Sequence, residues 1–463
     1  MEYMPVTESM FLIAETRDQP MHVGGLQLFI PREGQSPEDL ADEMHDAFIA
    51  ATDIHPTFLK RPASPASIVG YTAWSQEEEL DFDYHVRRIS LPRPGEIKDL
   101  LRYVSLNHGA LLDRSQPMWE THIIEGLKDG RIAMYTKVHH SLIDGVSALR
   151  ILQRTLSTDP TDRSGTAFWD RNLKSRSKKA RAPKTKPEPT LRERIAGAWS
   201  SADQVLGMVP AAAKVALTGA RDKDFIAPFP NAPQTILNVP IGSARRFAAQ
   251  DWPTERLRQA ARRHGLTVTE VMIAMCAGAL RTYLLDHDAL PEESLTAMLP
   301  VSMHTEDSSG NQVTAVIVKL ATDSSSPIER LHTIRASTTS AKKMVRGLRP
   351  LQSLALGAAN LAPMAMSVVP GATKITPRNF NVIISCVPGP DDPLYWNGAK
   401  LDGCYPVSIP AEGQAMNITT ATVGGKINFG IIGARAELPS VQRMLDHLET
   451  ALAELEELQP QAF

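Results

Sequence analysis

Hydrophobic and polar positions follow two different periods along the chain, and each period predicts a different kind of element. Runs that are apolar or alternate with a period of two predict β-strands, at residues 23–30, 131–140, 245–249, 295–301, 314–320, 381–386 and 426–432. Apolar positions spaced three and four residues apart predict helices, at residues 37–51, 97–108, 146–156, 254–285 and 440–458. Both halves of the chain mix strands and helices, so the predicted fold class is α/β, of the α+β kind.

A basic segment interrupts this pattern near the middle of the chain. Residues 171–190 read RNLKSRSKKARAPKTKPEPT, with eight Lys or Arg residues, one Glu and almost no apolar residue. This composition is typical of a solvated linker. A length of 463 residues also suggests two globular halves. We predict an N-terminal subdomain at 1–170, a linker and bridging helix at 171–235, and a C-terminal subdomain at 236–463, with a cleft between the two subdomains.

The net charge and the cysteine content indicate which binding partners and which cellular compartment to expect for this protein. A net charge of −3 supplies no overall basic field, so nucleic acid is not expected as a partner. Three widely spaced cysteines without a CxxC pair argue against a disulfide framework and a zinc site, and we predict no metal. The N-terminus lacks a secretory pattern, so a cytoplasmic protein is expected. Residues 351–370 carry no charge but include polar residues, Pro and Gly, which predicts a buried or interfacial helix and not a membrane span.

The predicted strand at residues 131–140 ends in two adjacent histidines. Because side chains alternate along a strand, His139 and His140 point to opposite faces. His140 lies on the more apolar face, which it shares with Ile132, Met134, Thr136 and Val138. Burial there favours a neutral imidazole, which is suited to accept a proton from a substrate hydroxyl.

Asp144 and Gly145 follow in the turn, and their spacing from the histidines favours a catalytic interpretation over simple packing. Asp144 could orient a histidine or could hold the turn by pairing with an arginine elsewhere. The second role is favoured, because a four-residue offset need not bring the carboxylate to the imidazole. Gly145 is expected to allow an unusual backbone angle.

Residues 139–145 read HHSLIDG and resemble the HHxxxDG motif of the bacterial wax ester synthase/acyl-CoA:diacylglycerol acyltransferase family. That family lies within the chloramphenicol acetyltransferase-like, CoA-dependent acyltransferases. The resemblance covers nearly the whole chain and includes PMHVG at 20–24, PMWE at 117–120, SCVPGP at 385–390, LYWNGA at 394–399 and YPVS at 405–408. It implies two chloramphenicol acetyltransferase-like subdomains with a channel between them and His140 at the middle of the channel.

The resemblance also implies a reaction without an acyl-enzyme. His140 would act as the general base on an acceptor alcohol that attacks the thioester of acyl-CoA, and the absence of a GxSxG serine motif agrees with this. The implied products are wax ester or triacylglycerol, from a long-chain alcohol or a diacylglycerol, with acyl-CoA as co-substrate and no cofactor. The alternatives are another alcohol or amine acceptor, or a catalytically weak lipid-binding or droplet-associated protein.

The chain departs from the family pattern at three places, and the departures at Thr269-Glu270 and Cys386 keep the lipid-binding alternative open. Many relatives carry Asn-Asp where this chain has Thr269-Glu270, Asn where it has Cys386, and Leu where it has Met118. The first two replacements change hydrogen-bonding groups, whereas the third is nearly isosteric.

Four further residues are candidates for substrate binding. Pro117 and Trp119 could line an acyl tunnel, or Trp119 could belong to the core. Asn381 and Ser385 could reach the cleft, although the favoured interpretation is that they satisfy backbone groups. Peripheral association with the inner face of the membrane or with lipid inclusions is also expected, through the basic linker or residues 351–370.

Overall fold

The computed structural model describes residues 2–63, 73–173, 215, 217–219, 221–228, 232–303, 312–366 and 378–459. The strands of these residues, β1 to β15 in chain order, are Glu2–Tyr3, His22–Ile30, Lys60–Pro62, Ala73–Gln76, Val86–Ser90, Trp119–Glu125, Ile132–His139, Arg245–Pro253, Thr296–Met303, Gln312–Lys319, Val382–Val387, Tyr395–Trp396, Ala399–Val407, Met416–Val423 and Lys426–Ala434. The α-helices, α1 to α10, are Val6–Ala14, Pro37–Ala50, Phe82–His85, Ile97–His108, Gly145–Arg154, Thr254–Arg263, Val268–Leu285, Pro327–Arg346, Pro350–Met366 and Arg443–Glu457.

The mixed α/β class is confirmed, and each predicted strand has a counterpart within a few residues. The predicted long helix at 254–285 is wrong, because the structure forms two helices there, α6 and α7. Gly265 lies between them with φ +60°, which a right-handed helix does not accommodate. Thr267 then starts α7 with a capping box in which its hydroxyl and the Glu270 carboxylate each accept the other's backbone N–H.

One compact unit comprises the described residues within 1–174, 236–259 and 385–449. Its main sheet has the order β12-β13-β2-β7-β6-β5, with neighbours antiparallel except for the parallel pair β5 and β6. Strands β14, β15 and β8 also lie in this unit and pair antiparallel. Helices α2 and α5 contribute Leu40, Met44, Leu149 and Leu152 to a core that also contains Trp119 and Val138 of the sheet. This packing fixes the end of β7, where the paired histidines lie.

The second unit comprises the described residues within 175–235, 260–384 and 450–463. Strands β9 and β10 pair antiparallel, and the start of β11 pairs parallel to β9. Within the described residues, α7 is the one helix long and apolar enough to cross a membrane, and 72% of it is buried inside the protein. The core helix of a soluble protein would be buried to a similar extent, so this helix is only weak evidence for a membrane span.

The uncharged segment 351–370 forms most of α9, and residues 367–370 lie outside the described residues. Ser353, Leu356 and Asn360 are buried, and the Asn360 amide donates to the Ala315 carbonyl oxygen at 2.8 Å. The buried-helix interpretation is confirmed for these positions.

The compact units are discontinuous in the chain, because residues 236–259 and 385–449 add strands to the unit that contains the first 174 residues. The contiguous division into 1–170, 171–235 and 236–463 stays a prediction. Most of the basic linker and of its bridging helix falls outside the described residues.

Candidate active site

A cavity of about 670 Å³ opens beside the turn that connects β7 to α5. All of its lining residues belong to the first unit. The apolar part of the lining is formed by Phe11, Phe58, Leu142, Ile143, Ile151, Phe168 and Leu173. The charged part is formed by Glu8, Asp144, Arg154, Asp170 and Arg171. Walls that combine apolar side chains with polar and charged groups are typical of a site for a small molecule.

His140 lines this cavity, as the alternation along β7 predicts. Its backbone N–H donates to the Met21 carbonyl oxygen at 2.8 Å, which holds the turn against the start of β2. The Phe11 ring stacks on the imidazole with centroids 4.2 Å apart and an interplanar angle of 18°. The buried ring nitrogen is Nδ1. Nε2 is therefore the nitrogen that can meet a substrate.

Burial lowers the pKa of His140 below its ordinary value, and the nearby His139 acts in the same direction. A hydrogen bond to its own backbone and the charge of Asp144 oppose this shift only in part. His140 is therefore neutral at pH 7, which is the protonation state that a general base requires.

His139 is fully buried on the opposite face of β7 and does not line the cavity. Its Nδ1 lies 2.7 Å from the Ser141 hydroxyl and accepts the Ser141 backbone N–H at 3.2 Å. The opposite orientation of the two histidines is thus confirmed. Of the two, only His140 is placed to touch a substrate in this cavity.

Asp144 anchors the turn, but its partner is a serine. It is the N-cap of α5 and accepts the Ser147 backbone N–H at 2.9 Å and the Ser147 hydroxyl at 2.7 Å. Among the described side chains, no arginine pairs with Asp144, so the expected arginine partner is wrong. Gly145 is the first residue of α5 and has no positive φ, so the expected unusual backbone angle is also wrong. A first helical position adopts ordinary helical angles, which any residue can reach.

Pro117 and Trp119 are buried and neither lines the cavity. The Trp119 indole N–H donates to the Phe58 carbonyl oxygen at 2.9 Å, and its ring packs against Phe58 and Phe168. The Pro117 carbonyl oxygen accepts the Trp119 backbone N–H at 2.8 Å. Because Phe58 and Phe168 do line the cavity, Trp119 supports its wall from behind.

The Asn381 side chain satisfies backbone groups, in agreement with the favoured interpretation, whereas that interpretation stays a prediction for the Ser385 side chain. In the second unit, the Asn381 amide donates to the Pro233 carbonyl oxygen at 2.7 Å and accepts the Thr296 N–H at 3.0 Å. In the first unit, it is the backbone of Ser385 that is satisfied, since its carbonyl oxygen accepts the Thr420 hydroxyl at 3.3 Å. No group of three or more potential metal ligands occurs in the part of the chain that the structure describes.

Two residues of this site carry no motif and are absent from the sequence prediction. Phe11 of α1 stacks on His140, and Glu15, just after α1, has a carboxylate oxygen 3.3 Å from His139 Nε2. Both lie more than one hundred residues before the histidines in the chain. The PMHVG segment at 20–24 was the nearest available signal, since Met21 contacts both Glu15 and His140.

A mixed α/β fold in which a strand ends in HHxxxDG, with the second histidine neutral at a cavity wall, defines an acyltransferase of the HHxxxDG class. The comparisons with known proteins agree. The model of the wax ester synthase/diacylglycerol acyltransferase catalytic domain matches residues 4–272, and that of the C-terminal domain matches residues 309–456. The chain therefore belongs to the wax ester synthase/diacylglycerol acyltransferase family and is an O-acyltransferase.

Individual relatives match over almost their whole length. A probable diacylglycerol O-acyltransferase of Mycobacterium tuberculosis is 44% identical over 99% of both chains. The O-acyltransferase WSD of Acinetobacter baylyi is 38% identical over 95% of this chain and 93% of that protein. Among solved structures, a wax ester synthase/diacylglycerol acyltransferase from Marinobacter aquaeolei VT8 has a TM-score of 0.78 at 40% identity, covering 98% of this chain and 99% of that one. A condensation domain of the CDA synthetase, with a TM-score of 0.60 and 14% identity over 99% of this chain and 96% of that one, shares the fold.

Proposed function

We propose that this acyltransferase esterifies a long-chain alcohol or a diacylglycerol with the fatty acyl group of acyl-CoA, with His140 as the general base. The observation that carries the proposal is the position of His140, neutral at the wall of a cavity whose lining includes seven apolar side chains. The names of the relatives, diacylglycerol O-acyltransferase and wax ester synthase, support the choice of acceptor.

The proposed reaction is a direct transfer. Nε2 of neutral His140 removes the proton from the acceptor hydroxyl as the oxygen attacks the thioester carbonyl carbon. The tetrahedral intermediate then breaks its C–S bond, and the imidazolium returns the same proton to the CoA thiolate. No covalent enzyme intermediate forms, so His140 ends the cycle in its starting state.

The lining of the cavity supports a neutral lipid alcohol as its occupant. Seven apolar side chains surround the His140 turn, as expected for an acyl or alkyl chain. Three carboxylates and two guanidinium groups make up the charged part of the lining. This balance favours a neutral acceptor over the anionic phosphates of CoA at this wall.

Thiol release from palmitoyl-CoA, with hexadecanol or a diacylglycerol as acceptor, tests the proposal. His140→Ala should reduce kcat by about 10²-fold to 10⁴-fold, the usual contribution of a general base. His45→Ala is a matched control, because His45 is partly buried on α2 and does not line the cavity. Full activity in a folded His140→Ala variant would contradict the assignment of the base. If the native protein is inactive with both acceptors, it either uses a different acceptor or binds lipid without catalysis.

A further inference from the structure

Two arginines of the first compact unit lie on one face of the ladder between β8 and β15. Arg246 is opposite Gly433 in this antiparallel pair, and Arg435 directly follows β15. The Arg435 backbone N–H donates to the Ala244 carbonyl oxygen at 2.9 Å, so the ladder continues to this position. Because side chains alternate along a strand, Arg435 and Arg246 point to the same face as diagonal neighbours, about 7–8 Å apart.

A third arginine comes from α4, which lies beside β8. The Ser105 hydroxyl oxygen of α4 accepts the Phe247 backbone N–H at 2.9 Å. Arg102 lies three residues before Ser105, and residues at that spacing share one side of a helix. The Arg102 side chain therefore starts from the side of α4 that contacts β8, close to Arg246.

The charges of the three guanidinium groups act on one another. Arg246 is partly buried, whereas Arg102 and Arg435 are exposed. Burial lowers the pKa of Arg246, and the positive charges of Arg435 and Arg102 lower it further. An arginine nevertheless stays charged at pH 7, so the folded protein holds three like charges together. A bound anion would replace this repulsion by attraction.

No carboxylate of the described residues pairs with these three arginines. Within that part of the chain, none of the three guanidinium groups forms an ion pair or a hydrogen bond. The carboxylates nearest to them in the chain have other partners. Asp99 accepts the Glu96 backbone N–H at 3.0 Å, and Glu437 accepts the Gly242 backbone N–H at 2.9 Å. The positive charge of this face is therefore available to an anionic ligand.

We propose that Arg102, Arg246 and Arg435, which we call the arginine patch, bind a phosphate group of a ligand. Planar guanidinium groups match phosphate oxygens through paired N–H donors, and several of them can share one dianion. Acyl-CoA and anionic phospholipids both carry such groups. The inference goes beyond the proposed function and does not depend on His140, because binding can be measured without turnover.

Urea unfolding at increasing concentrations of inorganic phosphate, with ionic strength kept constant by chloride, tests the patch without any substrate. A ligand of the folded protein raises the unfolding midpoint, and the rise yields a dissociation constant. Arg246→Gln should increase that constant by at least about tenfold, as expected when hydrogen bonds between charged groups are lost. Phosphate also stabilises proteins in general, so the difference between variants is the measured quantity. Arg258→Gln is the matched control, since it removes an arginine of the same unit that pairs with Asp391.

The double variant Arg102→Gln/Arg435→Gln provides a second test if Arg246→Gln does not fold, because both of its side chains are exposed. Its affinity for phosphate should fall to a similar degree. In chloride alone its unfolding midpoint should equal or exceed the native one, since fewer like charges then surround Arg246. A lower midpoint together with unchanged phosphate binding would mean that the arginines only stabilise the fold, and overturns the inference.

Calorimetry with CoA and cosedimentation with phosphatidylglycerol vesicles distinguish the sources of the phosphate group. Weaker CoA binding by the patch variants, with a raised KM for palmitoyl-CoA and an unchanged kcat, assigns the patch to the acyl donor. Weaker vesicle binding assigns it to a phospholipid headgroup, because the basic linker is intact in these variants. A loss limited to inorganic phosphate assigns it to the free ion. The inference is overturned if the patch variants bind all three probes within about twofold of the native affinity.

Discussion

Asp144 affects two measurable quantities, the stability of α5 and the pKa of His140, and substitutions can separate them. Its carboxylate caps the helix through Ser147, and its negative charge raises the pKa of His140. Asparagine is about as good an N-cap as aspartate but carries no charge. Alanine provides neither the cap nor the charge.

Asp144→Asn should therefore leave the free energy of unfolding within about 0.5 kcal/mol of native, whereas Asp144→Ala should lower it by about 1 kcal/mol, the usual value of an N-cap. Both variants remove a charge that favours protonated His140. The pKa of His140 should fall further below its ordinary value in each. The acid limb of kcat/KM should then move to lower pH, because His140 stays neutral in more acidic solution.

Urea unfolding at pH 7.5 measures the first effect, and kcat/KM between pH 4.5 and 8 measures the second. Ser147→Ala is a useful control, since it removes one hydrogen bond to Asp144 and keeps the charge. The reasoning is refuted if Asp144→Asn destabilises the protein as much as Asp144→Ala does, or if the acid limb moves to higher pH.

Two further predictions concern pH-dependent stability and membrane binding. Burial lowers the pKa of His108 to about 3, whereas an unfolded histidine titrates near 6.5, so stability should fall as the pH drops below 6.5. Between pH 7.5 and 5, the free energy of unfolding measured in urea should fall less for His108→Gln than for the native protein. An equal fall in both proteins would contradict this. We also propose that the basic linker binds anionic membranes, at about 1 kcal/mol per basic residue near the surface. Replacing Lys178, Lys179, Lys184 and Lys186 by Gln should reduce cosedimentation with phosphatidylglycerol vesicles, and unchanged binding would exclude the linker.

The orientation of the two histidines could be predicted from the sequence because it depends on local geometry. Side chains alternate in any strand, so a residue's face follows from its position alone. The apolar neighbours of His140 likewise predict its neutral state. The turn after β7 needed more than local geometry, since Asp144 could have turned toward a histidine, an arginine or the helix N-terminus. The structure shows the helix cap, which is the most local of the three.

The strand Trp119–Glu125 is absent from the sequence prediction because, like the role of Asp144, it depends on contacts beyond its own segment. It lies inside the main sheet, and six of its seven residues are buried, so alternation of polar and apolar residues does not mark it. His122 and Thr121 are polar but fully buried, where His122 binds Tyr103 and Thr121 binds Thr136. A strand covered on both faces can carry polar residues if each has a buried partner, and those partners come from tertiary structure.

Phe11 and Glu15 could not be predicted because their roles depend on long-range contacts. Phe11 reaches His140, and Glu15 reaches His139, only after α1 packs beside the end of β7. Neither residue belongs to a spacing pattern with the histidines. The Glu15 carboxylate is buried together with the guanidinium of Arg114. Because Arg114 lies 99 positions from Glu15 in the chain, the sequence does not reveal this pair either.

The departures from the family pattern can be weighed by what the replacing side chains do. Glu270 is buried, accepts the Thr267 backbone N–H at 2.8 Å to close the capping box of α7, and accepts the Thr338 hydroxyl at 3.2 Å. Cys386 accepts the Thr420 hydroxyl at 3.4 Å, and burial raises the pKa of its thiol to about 11. Each replacing side chain thus has a hydrogen-bond partner, and Glu270 also caps its own helix. Neither Glu270 nor Cys386 lines the cavity beside the HHxxxDG turn, so these replacements give the lipid-binding alternative little support.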